Sequence, residues 1–250
     1  MANKKRILFL MLLLCATGIA QSAEPNANSS LSIGPGVVIT SKPYAGMNAT
    51  VYPIPLMNFT CGRFYISGAT AGYRLLADQN WTFDAIGKWR FDGYDSDDSD
   101  TLKGMHDRHM TIDVGGEFAV SGNWGVLKTA LLTDALSQHE GQEFRLTYAK
   151  PFDIEKLNLS PSVGFSWLSS NLADYYYGVR ADEARAGRPA YNLGDAVNWF
   201  VGLQANYRLN DKWTLLADIT YYWLDSNISN SPIVSDSYMI SITAGAMYRF

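Results

Sequence analysis

The sequence lacks any hydrophobic stretch beyond its N-terminus that is long enough to cross a membrane as a helix. After residue 20, no apolar run approaches the roughly 18 residues that such a helix needs. Helical periodicity is also nearly absent from the rest of the chain. The net charge is -4 and the 20 Lys and Arg residues are scattered, which argues against nucleic acid as a partner. If this chain enters a membrane, it therefore enters as β-strands.

The N-terminus has the anatomy of a secretory signal peptide. Three basic residues at 4–6 are followed by an apolar run over 7–20 and by small residues that suit cleavage before Ala23. We therefore predict a signal peptide at residues 1–22 and an exported mature chain, residues 23–250, that forms a single domain.

Cysteine is scarce, with only Cys15 and Cys61 in the chain. Cys15 lies in the predicted signal peptide, so the mature chain retains Cys61 alone and can form no internal disulfide. An alternative is a lipoprotein anchored at Cys15, but Leu14 before it is not the small residue that such a site needs. An exported chain of this size without disulfides takes its stability from packing, hydrogen bonds or a membrane.

Apolar and polar residues alternate along most of the mature chain. In the closing stretch 237–250 the even positions are apolar throughout, whereas the odd positions include Ser241, Thr243 and Arg249. Such alternation predicts strands with one apolar and one polar face. The eleven candidate strands lie at 31–40, 51–59, 64–76, 81–92, 109–120, 124–135, 144–150, 157–168, 197–209, 213–223 and 237–250.

The connections and the faces of these strands favour a membrane barrel. The connections alternate between tight turns (77–80, 121–123, 210–212) and long polar stretches (92–108, 171–195, 226–237). A soluble sandwich would also alternate, but here the polar faces carry charges of both signs. The apolar faces carry Trp and Tyr near the strand ends, as in the aromatic girdles of outer-membrane barrels. We predict an all-β fold, a transmembrane antiparallel β-barrel in contact with outer-membrane lipid.

The strand number is the open part of this prediction, because a single-chain bacterial barrel is expected to have an even number. Pro53 and Pro55 fall on one face of 51–59, which fits an irregular or edge-like stretch. Merging this stretch with its neighbours gives ten strands, whereas a second strand hidden in one candidate gives twelve. We predict 10–12 strands, with twelve favoured.

Three stretches carry a resemblance to a known family. The sequence DYYYGVRADEARAGRPAYN at 174–192 resembles the loop hallmark of the MipA/OmpV family of outer-membrane proteins. The stretch 51–68 and the region 226–238 are similar to that family as well. The resemblance implies a Gram-negative outer-membrane barrel that acts as a scaffold for a murein-degrading lytic transglycosylase and a bifunctional murein synthase. Other members suggest two alternatives, a porin-like channel for small solutes and a surface adhesin.

The loop at 174–192 also supplies the candidate binding residues. Tyr and Arg are enriched at binding hot spots, which supports an interaction surface. The same residues could equally pack as a self-contained plug, and we favour this second interpretation because a long ordered loop must first satisfy its own backbone. The candidates are Asp174, Tyr175, Tyr176, Tyr177, Gly178, Arg180, Glu183, Arg188 and Tyr191.

The sequence offers little for catalysis or metal binding. Its three histidines, His106, His109 and His139, lie beside carboxylates, but no nucleophile motif points to a particular serine. The acidic run at 95–100 fails the EF-hand register, because Asp100 stands where Gly is needed and His106 where Glu is needed. We predict no catalytic residue, no metal site and no cofactor, and interpret the run as a hydrated loop, with a weak divalent site as the alternative.

The end of the chain resembles the C-terminal aromatic signal that the outer-membrane assembly machinery recognises. Tyr248 and Phe250 are the residues that carry it. A final strand that pairs with the first to close a barrel needs no polar tail, because a closed barrel has no edge strand.

Overall fold

The protein, in a computed structural model that describes residues 29–250, is built almost wholly of antiparallel strands. The predicted signal peptide at 1–22 lies outside these residues and stays a prediction. One sheet contains all thirteen strands. The strands are β1 (Ser30–Thr40), β2 (Thr50–Cys61), β3 (Phe64–Ser67), β4 (Thr70–Ala77), β5 (Trp81–Arg90), β6 (Thr111–Gly122), β7 (Gly125–Asp134), β8 (Gln142–Ala149), β9 (Phe152–Ile154), β10 (Leu157–Leu168), β11 (Ala196–Arg208), β12 (Trp213–Trp223) and β13 (Tyr238–Arg249).

The sheet closes into a barrel because β13 pairs with β1, from Ser32 opposite Arg249 to Thr40 opposite Ser241. β8 and β9 occupy one wall position, since both pair with β10 and only residues 150–151 separate them. The wall therefore has twelve positions. The favoured prediction of twelve strands is confirmed. The single candidate strand at 64–76 contains two strands, β3 and β4, which form a hairpin.

The period-2 pattern places apolar side chains outside and polar side chains inside. In β12, Leu215 and Ile219 are exposed on the outer face, whereas Asp218 and Thr220 are buried in the lumen. Aromatic pairs lie at both ends of the wall. Examples are Trp213 with Tyr248 (ring centroids 5.3 Å apart) and Tyr221 with Tyr238 (5.5 Å). This is the arrangement of a barrel that faces lipid through an apolar band with aromatic girdles.

The two ends of the barrel differ in their connections. One end has tight turns, at 62–63, 78–80, 123–124, 155–156 and 209–212. The other has long loops, at 41–49, 91–110, 135–141, 169–195 and 224–237. Because bacterial barrels keep short turns in the periplasm, we call these the periplasmic and the outer end. The outer loops contain helix α1 (Ser170–Tyr177), helix α2 (Ser226–Ser229) and a 3-10 turn at Ala181–Glu183. Among residues 29–250, no helix has the length and apolarity to span a membrane.

The chain ends at the seam of the barrel on the periplasmic side. The backbone N–H of Phe250 donates to the carbonyl of Leu31 at 3.0 Å, and its ring lies 4.9 Å from that of Tyr248. The Phe250 side chain is 75% exposed, so it contributes little packing to the folded barrel. Its role as an assembly signal stays a prediction.

Candidate functional site

The outer end of the barrel is closed by a second hydrophobic core, which we call the loop cap. Four of the five long loops contribute to it, together with the strand ends that carry them. Its members are nearly all apolar or tyrosine and are 9% exposed or less. The loop cap comprises Tyr44, Tyr94, Leu102, Met105, Leu168, Leu172, Ala173, Tyr176, Tyr177, Val179, Leu193, Ala196, Leu224, Ile228 and Ile233.

A buried ion pair between two loops holds the loop cap together. Arg108 donates from one terminal nitrogen to both carboxylate oxygens of Glu183, at 2.8 and 2.9 Å. The same carboxylate accepts the backbone N–H of His106 and of Arg180, each at 2.8 Å. Burial by itself raises the pKa of Glu183, but these backbone hydrogen bonds and the Arg108 guanidinium outweigh it and lower the pKa. Glu183 is therefore ionised, and contacts within the cap occupy most of the hydrogen-bonding positions of its carboxylate.

A second arginine joins the same two loops through backbone carbonyls. Arg188 donates to the carbonyl of Glu183 at 2.7 Å and to those of Thr101 and Lys103 at 2.5 and 3.1 Å. These contacts bind backbone carbonyl groups of both loops to one side chain. The guanidinium thus ties loop 91–110 to loop 169–195.

The tyrosines of the cap pack on one another and hydrogen-bond to the backbone. Tyr44 stacks on Tyr177 with centroids 5.7 Å apart, and its hydroxyl donates to the carbonyl of Tyr176 at 3.3 Å. The Tyr176 hydroxyl donates in turn to the carbonyl of His109 at 3.2 Å. Burial raises the pKa of Tyr44, Tyr176 and Tyr177 far above the ordinary value. All three are neutral structural groups at physiological pH.

The predicted loop residues are brought together, but mostly toward the interior of the cap. Tyr176, Tyr177, Gly178, Glu183 and Arg188 are buried. Asp174, Tyr175 and Tyr191 are half-buried, and Arg180 is exposed. The structure thus uses this loop as a packed plug. The prediction that it also binds a partner stays a prediction, and only Arg180 and the half-buried residues offer it a surface.

The half-buried members of the loop are tied inward as well. The Asp174 carboxylate accepts the backbone N–H of Leu193 at 2.8 Å. The Tyr191 hydroxyl donates to the carbonyl of Asn227 at 2.8 Å, which joins loop 169–195 to helix α2. The Tyr175 hydroxyl accepts the backbone N–H of His109 at 3.0 Å.

The side chains of His139 and His106 have structural partners. His139 meets Asp113 at 3.0 Å through Nε2, while its Nδ1 accepts the backbone N–H of Gly141 at 3.0 Å. Since Nδ1 is an acceptor, Nε2 must carry the proton that Asp113 accepts. His106 pairs with Asp182 at 2.9 Å on the exposed surface of the cap.

Sequence reasoning missed the group formed by Asp113, Asp134 and His139, whose ligand atoms lie within 4.8 Å of one another. Asp134 is already occupied as an acceptor, by the Thr111 hydroxyl at 2.7 Å and by backbone N–H groups of loop 135–141, among them that of His139 at 2.7 Å. The hydrogen bonds of Asp134 therefore anchor loop 135–141, and its carboxylate is not left open to bind a metal ion. The β6–β7 register, which sets Asp113 opposite Asp134, is the signal that could have revealed it.

The acidic run at 95–100 folds as a loop whose carboxylates serve local contacts. Asp98 accepts the backbone N–H of Asp95 at 3.0 Å, and Asp100 pairs with Lys103 at 2.6 Å. Nearby, Asp107 accepts the backbone N–H of Ser96 at 2.7 Å. These contacts hold the loop in shape, and its interpretation as a hydrated loop stays a prediction.

The lumen beneath the cap holds two cavities. The lower, of about 380 Å³, reaches the periplasmic turn at 62–63, and the upper, of about 210 Å³, is roofed by Leu172, Tyr176 and Tyr177. Charged side chains pair along the lumenal wall, mostly between neighbouring strands. The pairs are Arg74 with Asp84 (3.3 Å), Lys128 with Glu117 (3.4 Å), and Arg90 with both Asp113 (2.6 Å) and Glu143.

Comparison with known proteins agrees with this architecture. The family described as MltA-interacting protein MipA matches residues 33–250. The MltA-interacting protein of Escherichia coli (strain K12) is 30% identical over 246 residues, which cover 96% of this chain and 99% of that protein. The putative outer membrane protein YiaT of Escherichia coli (strain K12) is 29% identical, covering 89% of this chain and 92% of that one.

A further relative is outer membrane protein Omp26La of Vibrio anguillarum, which is 32% identical over 157 residues, covering 63% of this chain and 61% of that protein. These names are those of an interacting protein and of outer-membrane proteins. Together with the closed twelve-position wall, its aromatic girdles and its capped outer end, they identify the chain as a member of the MipA family of outer-membrane β-barrel proteins.

Proposed function

We propose that this barrel is a non-enzymatic interaction protein that binds a murein-degrading lytic transglycosylase, and through it a bifunctional murein synthase, at its periplasmic end. The similarity to an MltA-interacting protein over nearly the whole of both chains supports a partner of this kind. The single observation that carries the location is the loop cap, because it closes the outer mouth with its own side chains. Murein enzymes work in the periplasm, so a partner would reach the opposite end.

The periplasmic end offers a charged and accessible surface for such a partner. Arg63, Asp153, Lys156, Arg208 and Asp211 are all exposed there. Mixed charge at an interface steers encounter and sets specificity more than it adds affinity. A rim of both signs therefore suits a specific and reversible complex.

A channel for small solutes is the second candidate, and the two lumenal cavities favour it. Their lining carries charged side chains from six of the strands, β4 to β8 and β12, which would suit a polar solute. This function requires the loop cap to open, since Leu172, Tyr176 and Tyr177 roof the upper cavity.

Binding of the transglycosylase from the same bacterium to the purified barrel tests the first proposal. The variant R63E/K156E reverses two periplasmic charges, and R180E reverses an exposed charge on the cap as the matched control. We expect binding to the periplasmic variant to weaken about tenfold, or roughly 1.4 kcal/mol, and binding to R180E to stay unchanged. Each variant is first checked for a folded barrel by its heat-dependent migration on a gel.

Two results would contradict the proposal. Absence of binding by the intact protein would show that the transglycosylase is not its partner. Loss of binding in R180E alone would move the interaction to the loop at 174–192.

A further inference from the structure

The barrel wall is incomplete on one side, toward its outer end. β2 pairs with β1 along its whole length, from Thr50 opposite Thr40 to Thr60 opposite Ser30. On its other side it pairs with β3 only through residues 58–61, because the β3–β4 hairpin turns back at 68–69. At about 3.3 Å per residue, the segment 50–57 leaves roughly 26 Å of strand edge without a neighbouring strand.

Two prolines make this edge unsuitable for pairing with another strand. The carbonyl of Met57 accepts the N–H of Gly68 at 3.2 Å, so the backbone groups of Met57 point toward the short hairpin. Backbone groups alternate in direction along a strand, so those of Pro53 and Pro55 point to the same side. Proline has no N–H, and prolines on an edge block the addition of a further strand. This edge of β2 is therefore protected from pairing with a further strand.

Apolar and aromatic side chains border the gap. Ile54 and Leu56 point into the lumen from the open segment and belong to a buried cluster with Val38, Leu216 and Met247. Tyr52 and Phe91 pack against this cluster.

Across the gap, Trp89 stacks on Phe91 with ring centroids 5.8 Å apart and planes 9° apart. Trp89 is on the outer face of β5 and 39% exposed, yet it lines both lumenal cavities. The interior and the lipid-facing surface therefore meet at this aromatic pair.

The cavity behind the gap carries more positive than negative side chains. Lys42, Lys88, Arg90 and Arg145 line the upper cavity, against Asp92 and Glu143. Arg90 is paired with Asp92, Asp113 and Glu143, so Lys42, Lys88 and Arg145 supply the excess positive charge. An apolar border beside a lining with excess positive charge suits a molecule with a hydrocarbon tail and an anionic head group. The loop cap above leaves the side of the wall as the route toward the outer leaflet.

We propose that the gap between the open segment 50–57 of β2 and the aromatic pair Trp89 and Phe91 is a lateral opening. Through it a long-chain amphiphile with an anionic head group enters the lumen from the outer leaflet. The tail lies along Tyr52 and the aromatic pair, and the head group faces the basic side chains of the upper cavity.

Photolabelling of the barrel in lipid nanodiscs tests this site. The probe is a palmitic acid analogue with a photoreactive diazirine in its chain, and its control is a quaternary ammonium compound of the same chain length. We expect labelling by the fatty acid to concentrate on peptides containing residues 50–57 and 89–91 and to be competed by unlabelled palmitate. The cationic control should label the outer apolar face evenly. Even labelling by both probes, or enrichment of both at the gap, would overturn the proposal.

A matched pair of variants separates the opening from general lipid contact. W89A/F91A removes the aromatic border, whereas W199A removes an exposed aromatic ring of β11 that lines neither cavity. With folding checked by heat-dependent migration, competable labelling should fall at least fivefold in W89A/F91A and stay unchanged in W199A. An equal fall in both, or no fall in either, would show that the opening does not bind the amphiphile.

Discussion

The outer and periplasmic ends of this barrel are built differently, although the same wall strands supply both. At the outer end, long loops and the strand ends that carry them bury fifteen residues in a separate core, and a buried salt bridge joins two of these loops. At the periplasmic end, the turns are short and their side chains stay in solvent. The difference shows how one scaffold can be sealed on one side and remain accessible on the other.

Loop length is the physical cause of this difference. Loop 169–195 is long enough to form helix α1, reverse direction and return, so it can cover its own backbone with side chains. A turn such as 123–124 has only enough chain to connect two strands.

Removal of the buried carboxylate should loosen the loop cap most. Glu183→Ala leaves Arg108 buried without its ionic partner, which typically costs roughly 3 to 5 kcal/mol. Hydrogen exchange should then show faster opening of residues 170–195 while the wall strands stay protected. Asp182→Ala is the matched control, because Asp182 is exposed and its ion pair is with the exposed His106. Equal protection in both variants would mean that the ion pair does not hold the cap.

Truncation of the apolar roof should have the next largest effect. Leu172 is 1% exposed, and Leu172→Ala leaves a cavity that costs about 3 kcal/mol of cap stability. Leu136→Ala, in an exposed outer loop position, is the control and should change little. The measurement is again hydrogen exchange over 170–195. A cap that tolerates both substitutions equally would not be a packed core.

Acid should weaken the cap more gently. The pKa of Glu183 is lowered in the folded protein, so its contribution is complete above the unfolded value of about 4.3. This contribution is lost as the pH falls through the lower folded pKa. Protection of 170–195 should thus be constant above about pH 5 and decline below about pH 4. In Glu183→Gln, the part of the acid-induced loss of protection that is due to Glu183 should be absent. An acid profile identical to that of the unsubstituted protein would show that other carboxylates cause the decline.

Loss of the last residue should affect the folded barrel least. The Phe250 side chain is exposed, so its deletion should leave the unfolding temperature of purified barrel nearly unchanged. We expect the amount of protein assembled in the outer membrane to fall severalfold, while Phe250→Tyr retains normal assembly. Normal levels of the truncated protein, measured by blotting of outer-membrane fractions, would show that Phe250 is not needed as an assembly signal.

The wall strands were predictable from the sequence because apolar and polar residues alternate within each strand, according to which face meets lipid and which meets the lumen. The outward Leu215 and Ile219 and the inward Asp218 make β12 recognisable without any knowledge of its neighbours. The hairpin of β3 and β4 was harder, since its turn at 68–69 lies within one continuous candidate.

The loop cap and its anchors were only partly predictable, because they depend on contacts between distant segments. Glu183 was a candidate, but its partner Arg108 lies in another loop, 75 residues away along the chain. Asp113 and His139 likewise meet only after β6 and β7 have paired. The composition indicated loops rich in Tyr and Arg. That these side chains point into the cap could be seen only in the folded structure.

Planar bilayer recording can show whether the loop cap seals the outer end of the barrel. The purified intact protein should show no steady conductance. A variant in which residues 170–195 are replaced by a short Gly/Ser linker should show discrete ohmic steps, because the roof of the upper cavity is removed. Discrete steps from the intact protein would contradict a sealed outer end and favour a channel.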